Sequence, residues 1–420
     1  MSILGTGFGA AARAIDEARL WARHMEMATY GALPHGGVNR QALSPEEGRA
    51  RRRLTDWARA SGFTVSGDAA GNLFVRREGR SAGKAPVVTG SHLDSQPTGG
   101  KFDGAYGVLA GFEVLQAMND AGIETDRPIE VVSWLNEEGS RFQPGCFGSM
   151  VFAGRMDLDR ALSACDRDGV VAREALAAIH AGESDIPMRP LGFPVHAYIE
   201  AHIEQGPLLE EAGVPVGVVT GIQGTRWFAV EVSGEEAHAG TMPHRYRKDA
   251  LVSALAMVSA LQRLMADERD IVRFTVGRFE VSPGSPNTVP GRVFFTVDFR
   301  HPDAHTLKRL GDQVEAVCRA HAGPCTVGVE ETFHSLPCAF DAGVVAAVRE
   351  AAGGLGIPTL ELPSGANHDA KFLAEVCPAG MIFVPCERGI SHNEAEMAKP
   401  ADLAAGARVL AEALVRLAGS

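Results

Sequence analysis

The chain has 420 residues, of which 45% are hydrophobic and 22% charged, the composition of an ordinary globular protein. This length exceeds the usual range for one domain, so two domains are expected. The chain carries 40 Lys and Arg residues against 52 Asp and Glu residues, a net charge of −12. That balance argues against nucleic acid or an acidic membrane surface as the main partner, because both need a basic surface.

The opening of the chain predicts neither a signal peptide nor a membrane anchor. It lacks a positively charged start and a long apolar run, and it passes directly into a charged helical pattern. No run of 18 or more apolar residues occurs, so no transmembrane helix is expected. The seven cysteines are odd in number and include no C-x-x-C pair, which favours reduced thiols and a cytoplasmic protein.

The first half of the chain alternates helical patterns with short apolar strands. The predicted elements are helices at 11–27, 45–61 and 104–119 and strands at 86–90 and 129–135. In the third helix, Gly107 and Gly111 are four residues apart and would allow close packing against a sheet. This order predicts an α/β layer with a mostly parallel sheet.

A different order of elements follows in the middle of the chain. Strand and helix patterns alternate there as β-α-β-β-α-β, the split βαβ arrangement of a complete small domain. The α/β pattern then resumes with a helix from about 341, a strand at 381–384 and a helix at 400–417. We therefore predict an α/β domain formed by 1–212 and 330–420, interrupted by an inserted α+β domain at 213–329.

Five short runs concentrate His, Asp and Glu residues. They are SHLD at 91–94, KFDG at 101–104, NEEG at 136–139, AHIEQG at 201–206 and SHNE at 391–394. Three runs follow predicted strands, and the carboxyl ends of parallel strands meet at one sheet edge. Three imidazoles and at least two carboxylates without a thiolate suit zinc, with manganese, cobalt or nickel as alternatives. Paired ions need a bridging carboxylate, and the adjacent Glu137 and Glu138 can supply one ligand and one base.

Eight runs resemble, in the right order, the hydantoinase/carbamoylase group of dinuclear metal amidases within the aminoacylase and carboxypeptidase-like superfamily. The runs are GSHLDSQPTGGKFDGAYGVLAG, NEEGSRF, HIEQGP, HAGTMP, SPNTVPG, DFRHPD, SGANHDA and GISHNEAE. The resemblance extends from about residue 70 to 405. It implies a di-metal aminopeptidase-like catalytic domain with a mostly parallel sheet, interrupted by a ferredoxin-like dimerisation (lid) domain.

The resemblance also implies a division of labour among the metal ligands. His92 and His202 would be the terminal ligands of one divalent ion, and Glu138 and His392 those of a second. Asp103 would bridge the two ions.

Other residues are implied as catalytic or supporting groups. Glu137 resembles the general base that activates water and later protonates the leaving nitrogen. Asp94 resembles a carboxylate that orients the imidazole of His92. His238, in the inserted domain, resembles the histidine that stabilises the oxyanion.

The substrate binders implied by the resemblance are Gln205, Asn287, Arg300, Gly365 and Asn367. A guanidinium suits bidentate capture of a carboxylate. From the residues alone, Arg300 is equally consistent with a surface salt bridge and Asn287 with a turn. Family counterparts of the residues from the inserted domain can reach the site of a neighbouring subunit, so a homodimer is implied.

The predicted function is metal-dependent hydrolysis of the carbamoyl C–N bond of a small carboxylate-bearing N-carbamoyl (ureido) amino acid, giving the amino acid, carbon dioxide and ammonia. Hydrolysis of N-acyl amino acids or dipeptides, of allantoate or of ureidoglycolate remains an alternative. A non-catalytic binding protein on this scaffold is the third hypothesis. Substrate choice is open because Asn367 stands where the family usually has a small residue, and His244 is a second departure.

Overall fold

The computed structural model of the protein describes residues 8–419. The prediction about the opening segment falls partly on residues 1–7, which lie outside the described residues. The strands are β1 (Thr64–Gly67), β2 (Leu73–Arg77), β3 (Val87–His92), β4 (Ile129–Trp134), β5 (Ala197–Ile203), β6 (Val216–Ile222), β7 (Gly224–Ser233), β8 (Ala237–His238), β9 (Arg273–Thr275), β10 (Phe279–Ser282), β11 (Thr288–Val289), β12 (Arg292–His301), β13 (Thr326–Ser335), β14 (Cys338–Ala339), β15 (Thr359–Ser364) and β16 (Ala379–Val384). The helices are α1 (Ala10–Ala14), α2 (Glu17–Met27), α3 (Pro45–Ala60), α4 (Ala105–Asp120), α5 (Phe147–Phe152), α6 (Leu158–Leu162), α7 (Ala172–Ala181), α8 (Leu208–Ala212), α9 (Ala250–Met265), α10 (Ala304–Gly311), α11 (Val314–Ala320), α12 (Ala342–Leu355), α13 (Ala370–Leu373) and α14 (Pro400–Ala418).

Two compact units make up the chain. The first combines Met1–Thr220 with Phe340–Ser420, and the second is Gly221–Ala339. The predicted inserted domain, 213–329, differs from the second unit at both ends. Strand β6 contributes to the large sheet by pairing with β16, and β13 continues beyond the predicted exit.

The large sheet of the first unit runs in the order β1-β2-β4-β3-β5-β16-β6. Its four central strands, β4, β3, β5 and β16, pair in parallel, whereas the flanking strands are antiparallel. Every residue of those four central strands is buried, as expected for parallel strands covered on both faces. The predicted α/β fold with a mostly parallel central sheet is confirmed.

Helix α4 packs against this sheet through its two glycines, as predicted. A Cβ atom on Gly107 would lie 2.4 Å from the carbonyl oxygen of Ala201 and 2.7 Å from Cβ of Ser91. One on Gly111 would lie 2.9 Å from the Thr89 side chain. The absence of side chains at these two positions therefore sets how closely α4 approaches the sheet.

Strand β5 was not predicted, because two polar side chains interrupt its apolar pattern. Glu200 and His202 are nevertheless fully buried. The Glu200 carboxylate accepts hydrogen bonds from the Ser91 hydroxyl at 2.6 Å and from the Ala370 N–H at 2.8 Å. Such pairing offsets the cost of burying a polar group inside a strand.

The second unit contains an antiparallel sheet in the order β10-β12-β7-β13, and β9 pairs with β12 beside β10. The second strand of the predicted β-α-β-β-α-β order is thus broken into β9 and β10. Alternate residues of β7 and β12 are buried, and they form a core with α9, α10 and α11. The split βαβ order expected from the sequence accounts for this layer of helices on one sheet face.

Among residues 8–419, no helix has both the length and the apolar character needed to cross a bilayer. All seven cysteines are free thiols.

The substitution Gly107→Ala should destabilise the first unit. Because the added methyl group would meet backbone and side-chain atoms of the sheet, we expect the free energy of unfolding to fall by roughly 1–3 kcal/mol. The matched control is Gly353→Ala in α12, where an added Cβ meets nothing within 4 Å. That variant should be neutral or more stable by about 0.5–1 kcal/mol. Urea unfolding followed by circular dichroism measures both, and equal stabilities for the two variants would contradict the packing argument.

Candidate metal centre

The carboxyl ends of the four parallel strands bring the predicted ligands to one edge of the large sheet. His92 is the last residue of β3, and His202 is the penultimate residue of β5. Glu138 lies just beyond β4, and His392 follows β16 after a short loop. Asp103 directly precedes the glycine at the start of α4. This is the edge where open α/β sheets bind their ligands.

Two adjacent groups of donor atoms form there and share one carboxylate. His92, Asp103 and His202 place one ligand atom each within 4.8 Å of one another, and Asp103, Glu138 and His392 do the same. Oδ1 of Asp103 lies 3.2 Å from Nε2 of His202, and Oδ2 lies 3.2 Å from Nε2 of His392. One oxygen of Asp103 therefore faces each group, which is the arrangement that a bridging carboxylate needs.

The electrostatics of the two groups favour bound cations. Burial acts to raise the pKa of Asp103, but hydrogen bonds with His202 and His392 outweigh it and hold that pKa well below its usual range. Burial lowers the pKa of His92 to about 4, which leaves a neutral imidazole with a free lone pair. Burial and the charge of Asp103 raise the pKa of Glu138 to about 8. Carboxylates buried this close together repel one another, so positive charge between them is stabilising.

Glu137 belongs to neither group but lies beside them. Its Oε2 is 3.4 Å from Nε2 of His92, and its Oε1 accepts a hydrogen bond from the Cys146 thiol at 3.4 Å. Burial and the nearby Asp369 and Glu138 raise the pKa of Glu137 well above its ordinary value. A raised pKa makes this carboxylate a stronger proton acceptor than an exposed glutamate.

Asp94 contacts both His92 and the loop that follows β4. Its carboxylate lies 3.6 Å from Nδ1 of His92, whereas its main-chain carbonyl oxygen accepts the hydrogen bond from that nitrogen at 3.0 Å. The carboxylate instead accepts from the backbone N–H groups of Glu137 and Glu138, both at 3.2 Å. The carboxylate therefore holds the loop that carries both glutamates, and its role in orienting His92 stays a prediction.

Three supporting residues were missed by the sequence analysis. Glu396 accepts hydrogen bonds from the backbone N–H groups of Phe102 at 2.8 Å and Asp103 at 3.1 Å, and Ser391 lies 2.9 Å from its other oxygen. Gln96 donates to Glu138 Oε2 at 2.7 Å through its side chain. All three residues belong to runs quoted for the family resemblance, so their positions offered a signal, but nothing in the sequence indicated which groups they contact.

Gly104 leaves room for an imidazole. A Cβ atom there would lie 2.3 Å from the ring of His92, and the φ angle of Gly104 is +63°. Asn136, Gln205 and His392 also have positive φ angles, which are uncommon for residues with side chains. Backbone strain of this kind concentrates at functional sites.

The predicted substrate binders of the first unit fall into two places. The side-chain nitrogen of Gln205 donates to Oδ2 of Asp103 and to Ser391, both at 3.1 Å, so this group supports the shared carboxylate. Gly365 and Asn367 lie in an exposed loop after β15. The side-chain nitrogen of Asn367 donates to the sulfur of Cys146 at 3.6 Å.

In the second unit, the structure brings His238 and Asn287 together but not Arg300. His238 in β8 pairs with Thr288 in β11, and the carbonyl oxygen of Asn287 accepts from Ala239. Arg300 lies near the opposite end of β12, eight residues or roughly 27 Å from Arg292 at about 3.4 Å per residue. Its guanidinium makes a two-point contact with Asp298, at 3.2 Å and 2.9 Å. The expected alternative of a salt bridge is therefore present. His244 lies exposed in a short 3-10 turn.

Comparison with known proteins identifies the family. The model of Peptidase family M20/M25/M40 matches residues 88–416. The chain belongs to this family. An N-carbamoyl-L-amino-acid amidohydrolase from Rhizobium meliloti is 40% identical over 411 residues, covering 97% of each chain.

Other similar proteins support the assignment of this chain to the M20 family. The crystal structure of an amidase of the hydantoinase/carbamoylase family from Burkholderia multivorans has a TM-score of 0.92 and 48% identity, covering 97% of this chain and 98% of that one. Allantoate amidohydrolase from Escherichia coli is 33% identical and covers 97% of this chain and 98% of its own. The chain is thus a hydrolase of C–N amide bonds, and its clustered His, Asp and Glu residues could hold a metal ion.

Removing the Glu396 carboxylate should weaken metal binding. Because Glu396 fixes the backbone of Phe102 and Asp103, we expect Glu396→Ala to lower metal affinity ~10–100-fold. Competition with a chromogenic chelator measures that affinity. The control is Glu387→Ala, an exposed glutamate of the same loop. Wild-type affinity in Glu396→Ala would show that the loop keeps its shape without this carboxylate.

Proposed function

We propose that this M20 enzyme hydrolyses the carbamoyl C–N bond of N-carbamoyl (ureido) amino acids. The observation that carries the proposal is the pair of donor groups sharing Asp103, with Glu137 beside them and a member of neither. Identity of 40% along nearly the whole length to an amidohydrolase named for N-carbamoyl-L-amino acids supports the substrate class.

The donor set fits two divalent ions. His92 and His202 would hold one ion and Glu138 and His392 the other, with Asp103 shared. Three imidazoles, two carboxylates and no thiolate suit zinc first, and also manganese, cobalt or nickel. Bound there, two ions supply Lewis-acid chemistry that activates a water molecule and polarises the substrate carbonyl.

Glu137 would move the proton in this reaction. Its raised pKa and its position beside His92 suit a group that accepts a proton from the attacking water. Water adds to the carbonyl carbon, and the C–N bond to the amino acid nitrogen then breaks. Glu137 returns the proton to that nitrogen, and the released carbamic acid decomposes to carbon dioxide and ammonia.

The second unit would supply the remaining substrate contacts. His238 would stabilise the developing oxyanion, and Asn287 beside it would bind the substrate. Arg300 would exchange its contact with Asp298 for the substrate carboxylate, which matches the fork of a guanidinium. Since β12 separates Arg300 from the other two, one copy of this unit cannot present all three to one small molecule. We therefore infer a homodimer in which two subunits complete each site.

Three further points complete the proposal. Allantoate is the second candidate substrate, because an allantoate amidohydrolase is 33% identical over nearly its whole length. The presence of the five predicted ligands together with Glu137 argues against a non-catalytic role. Seven free cysteines fit a reducing compartment such as the cytoplasm.

The purified protein should release amino acid and ammonia from N-carbamoyl amino acids in a metal-dependent manner. We expect dialysis against a chelator to abolish turnover and a divalent ion to restore it, because the substrate carbonyl needs polarisation. The measurement is ammonia release from N-carbamoyl amino acids, allantoate, N-acyl amino acids and dipeptides, with metal content determined on the same sample. Turnover of dipeptides alone, or activity that survives complete metal removal, would contradict the proposal.

The near-isosteric substitution Glu137→Gln tests the role of Glu137 as the base. We expect kcat to fall by on the order of 10²–10⁴-fold while metal content stays at the wild-type value, because Gln cannot accept the proton. An active Glu137→Gln protein would assign the base to another residue.

Mixing two inactive variants tests the shared site. Co-expression of Glu137→Gln with His238→Ala should restore about a quarter of wild-type activity, because half of the dimers are mixed and each has one complete site. Co-expression of Glu137→Gln with Glu138→Ala serves as control. Each subunit of a mixed dimer then carries one substitution in its own metal centre, so no dimer has a complete site. No recovery in the first mixture would place His238 and Glu137 of one subunit in the same site.

A further inference from the structure

A chain of side-chain contacts leads from Glu137 to the surface of the first unit. The Cys146 thiol donates to Oε1 of Glu137 at 3.4 Å, and the sulfur accepts from Nδ2 of Asn367 at 3.6 Å. Asn367 is exposed, whereas Cys146 is only 3% exposed. Asn367 therefore lies two hydrogen-bond lengths from Glu137, on its solvent side.

The direction of these contacts fixes the orientation of the Asn367 amide. Burial raises the pKa of the Cys146 thiol well above its ordinary value, so the thiol keeps its proton and donates it to the carboxylate. The sulfur lone pairs then remain for the Asn367 N–H group. Because Nδ2 is committed to the sulfur, the other branch of the amide presents its carbonyl oxygen, Oδ1, as an acceptor.

The backbone around Cys146 holds the thiol in place. The Cys146 N–H donates to the carbonyl oxygen of Glu137 at 2.9 Å, and Cys146 has a φ angle of +57°. Side chain and main chain of Cys146 thus both attach to Glu137. An amide that donates to this sulfur is held at a defined place near Glu137.

The candidate substrates differ in what they carry on that carbon. A carbamoyl group carries a terminal NH2, an acetyl group a methyl and a formyl group a hydrogen. Only the NH2 can donate to a carbonyl oxygen, so an acetyl or formyl substrate gains no hydrogen bond from Oδ1. A small residue at position 367 would offer no such acceptor.

We infer that Asn367 is a specificity-determining residue whose Oδ1 accepts an N–H of the terminal NH2 of a carbamoyl substrate. The inference rests on the proposed function and names the part of the substrate that this chain recognises. Cys146 is a positioning residue that orients the amide.

The experiment compares kcat/KM for the N-carbamoyl, N-acetyl and N-formyl forms of methionine. In Asn367→Ala we expect kcat/KM for the carbamoyl form to fall on the order of tenfold, with the acetyl and formyl values within about twofold of wild type. Melting temperature and metal content should match wild type, because the side chain is exposed. Asn119→Ala, an exposed asparagine on α4, is the matched control and should leave all three values unchanged.

Two further variants test the role of the thiol. Cys146→Ser keeps a donor and an acceptor and should keep the preference for the carbamoyl form. Cys146→Ala frees the amide to turn, and the preference should fall toward that of Asn367→Ala. An equal loss for all three substrates in Asn367→Ala would overturn the inference and leave the proposed function standing. A wild-type enzyme that does not cleave the carbamoyl form would overturn both.

Discussion

The double contact of Asp103 is the constraint on which the site depends. One carboxylate must face two groups of donors at once, so its backbone has to be fixed from behind. Glu396 does this by accepting the N–H groups of Phe102 and Asp103, and Gln205 and Ser391 lie against Oδ2. The parallel strands of the large sheet end at one edge, and the other ligands at or beyond their ends therefore surround this carboxylate.

The glutamate pair after β4 shows how one loop serves two tasks. The carboxylate of Asp94 holds the backbone of both residues, Gln96 takes the side chain of Glu138, and Cys146 takes that of Glu137. The two neighbouring carboxylates therefore have separate partners. Glu138 therefore belongs to one of the donor groups, and Glu137 lies beside His92.

Much of the fold could be predicted because apolar runs and glycine spacing report local structure. Strands β3, β4 and β16 each contain a run of adjacent apolar residues, and Gly107 and Gly111 mark the face of α4 that meets the sheet. Strand β5 was not predicted, since the hydrogen-bond partners of its buried Glu200 lie far away in the chain. Likewise, the carboxylates of Asp94 and Glu396 act on backbone N–H groups, and no residue pattern reveals which backbone group a side chain will reach. The metal ligands were identifiable because their chemistry requires particular residue types, whereas the groups that hold them in place are set by tertiary structure.

The close packing of α4 has an electrostatic consequence. Asp103 immediately precedes the glycine that begins this 16-residue helix, so the positive end of the helix dipole lies at the shared carboxylate. This field comes from peptide groups and is independent of any ionisable side chain. Gly107 and Gly111 hold the helix axis against the sheet and thereby fix the direction of that field. Two residues without side chains thus help to set the charge environment of the centre, although neither is a ligand.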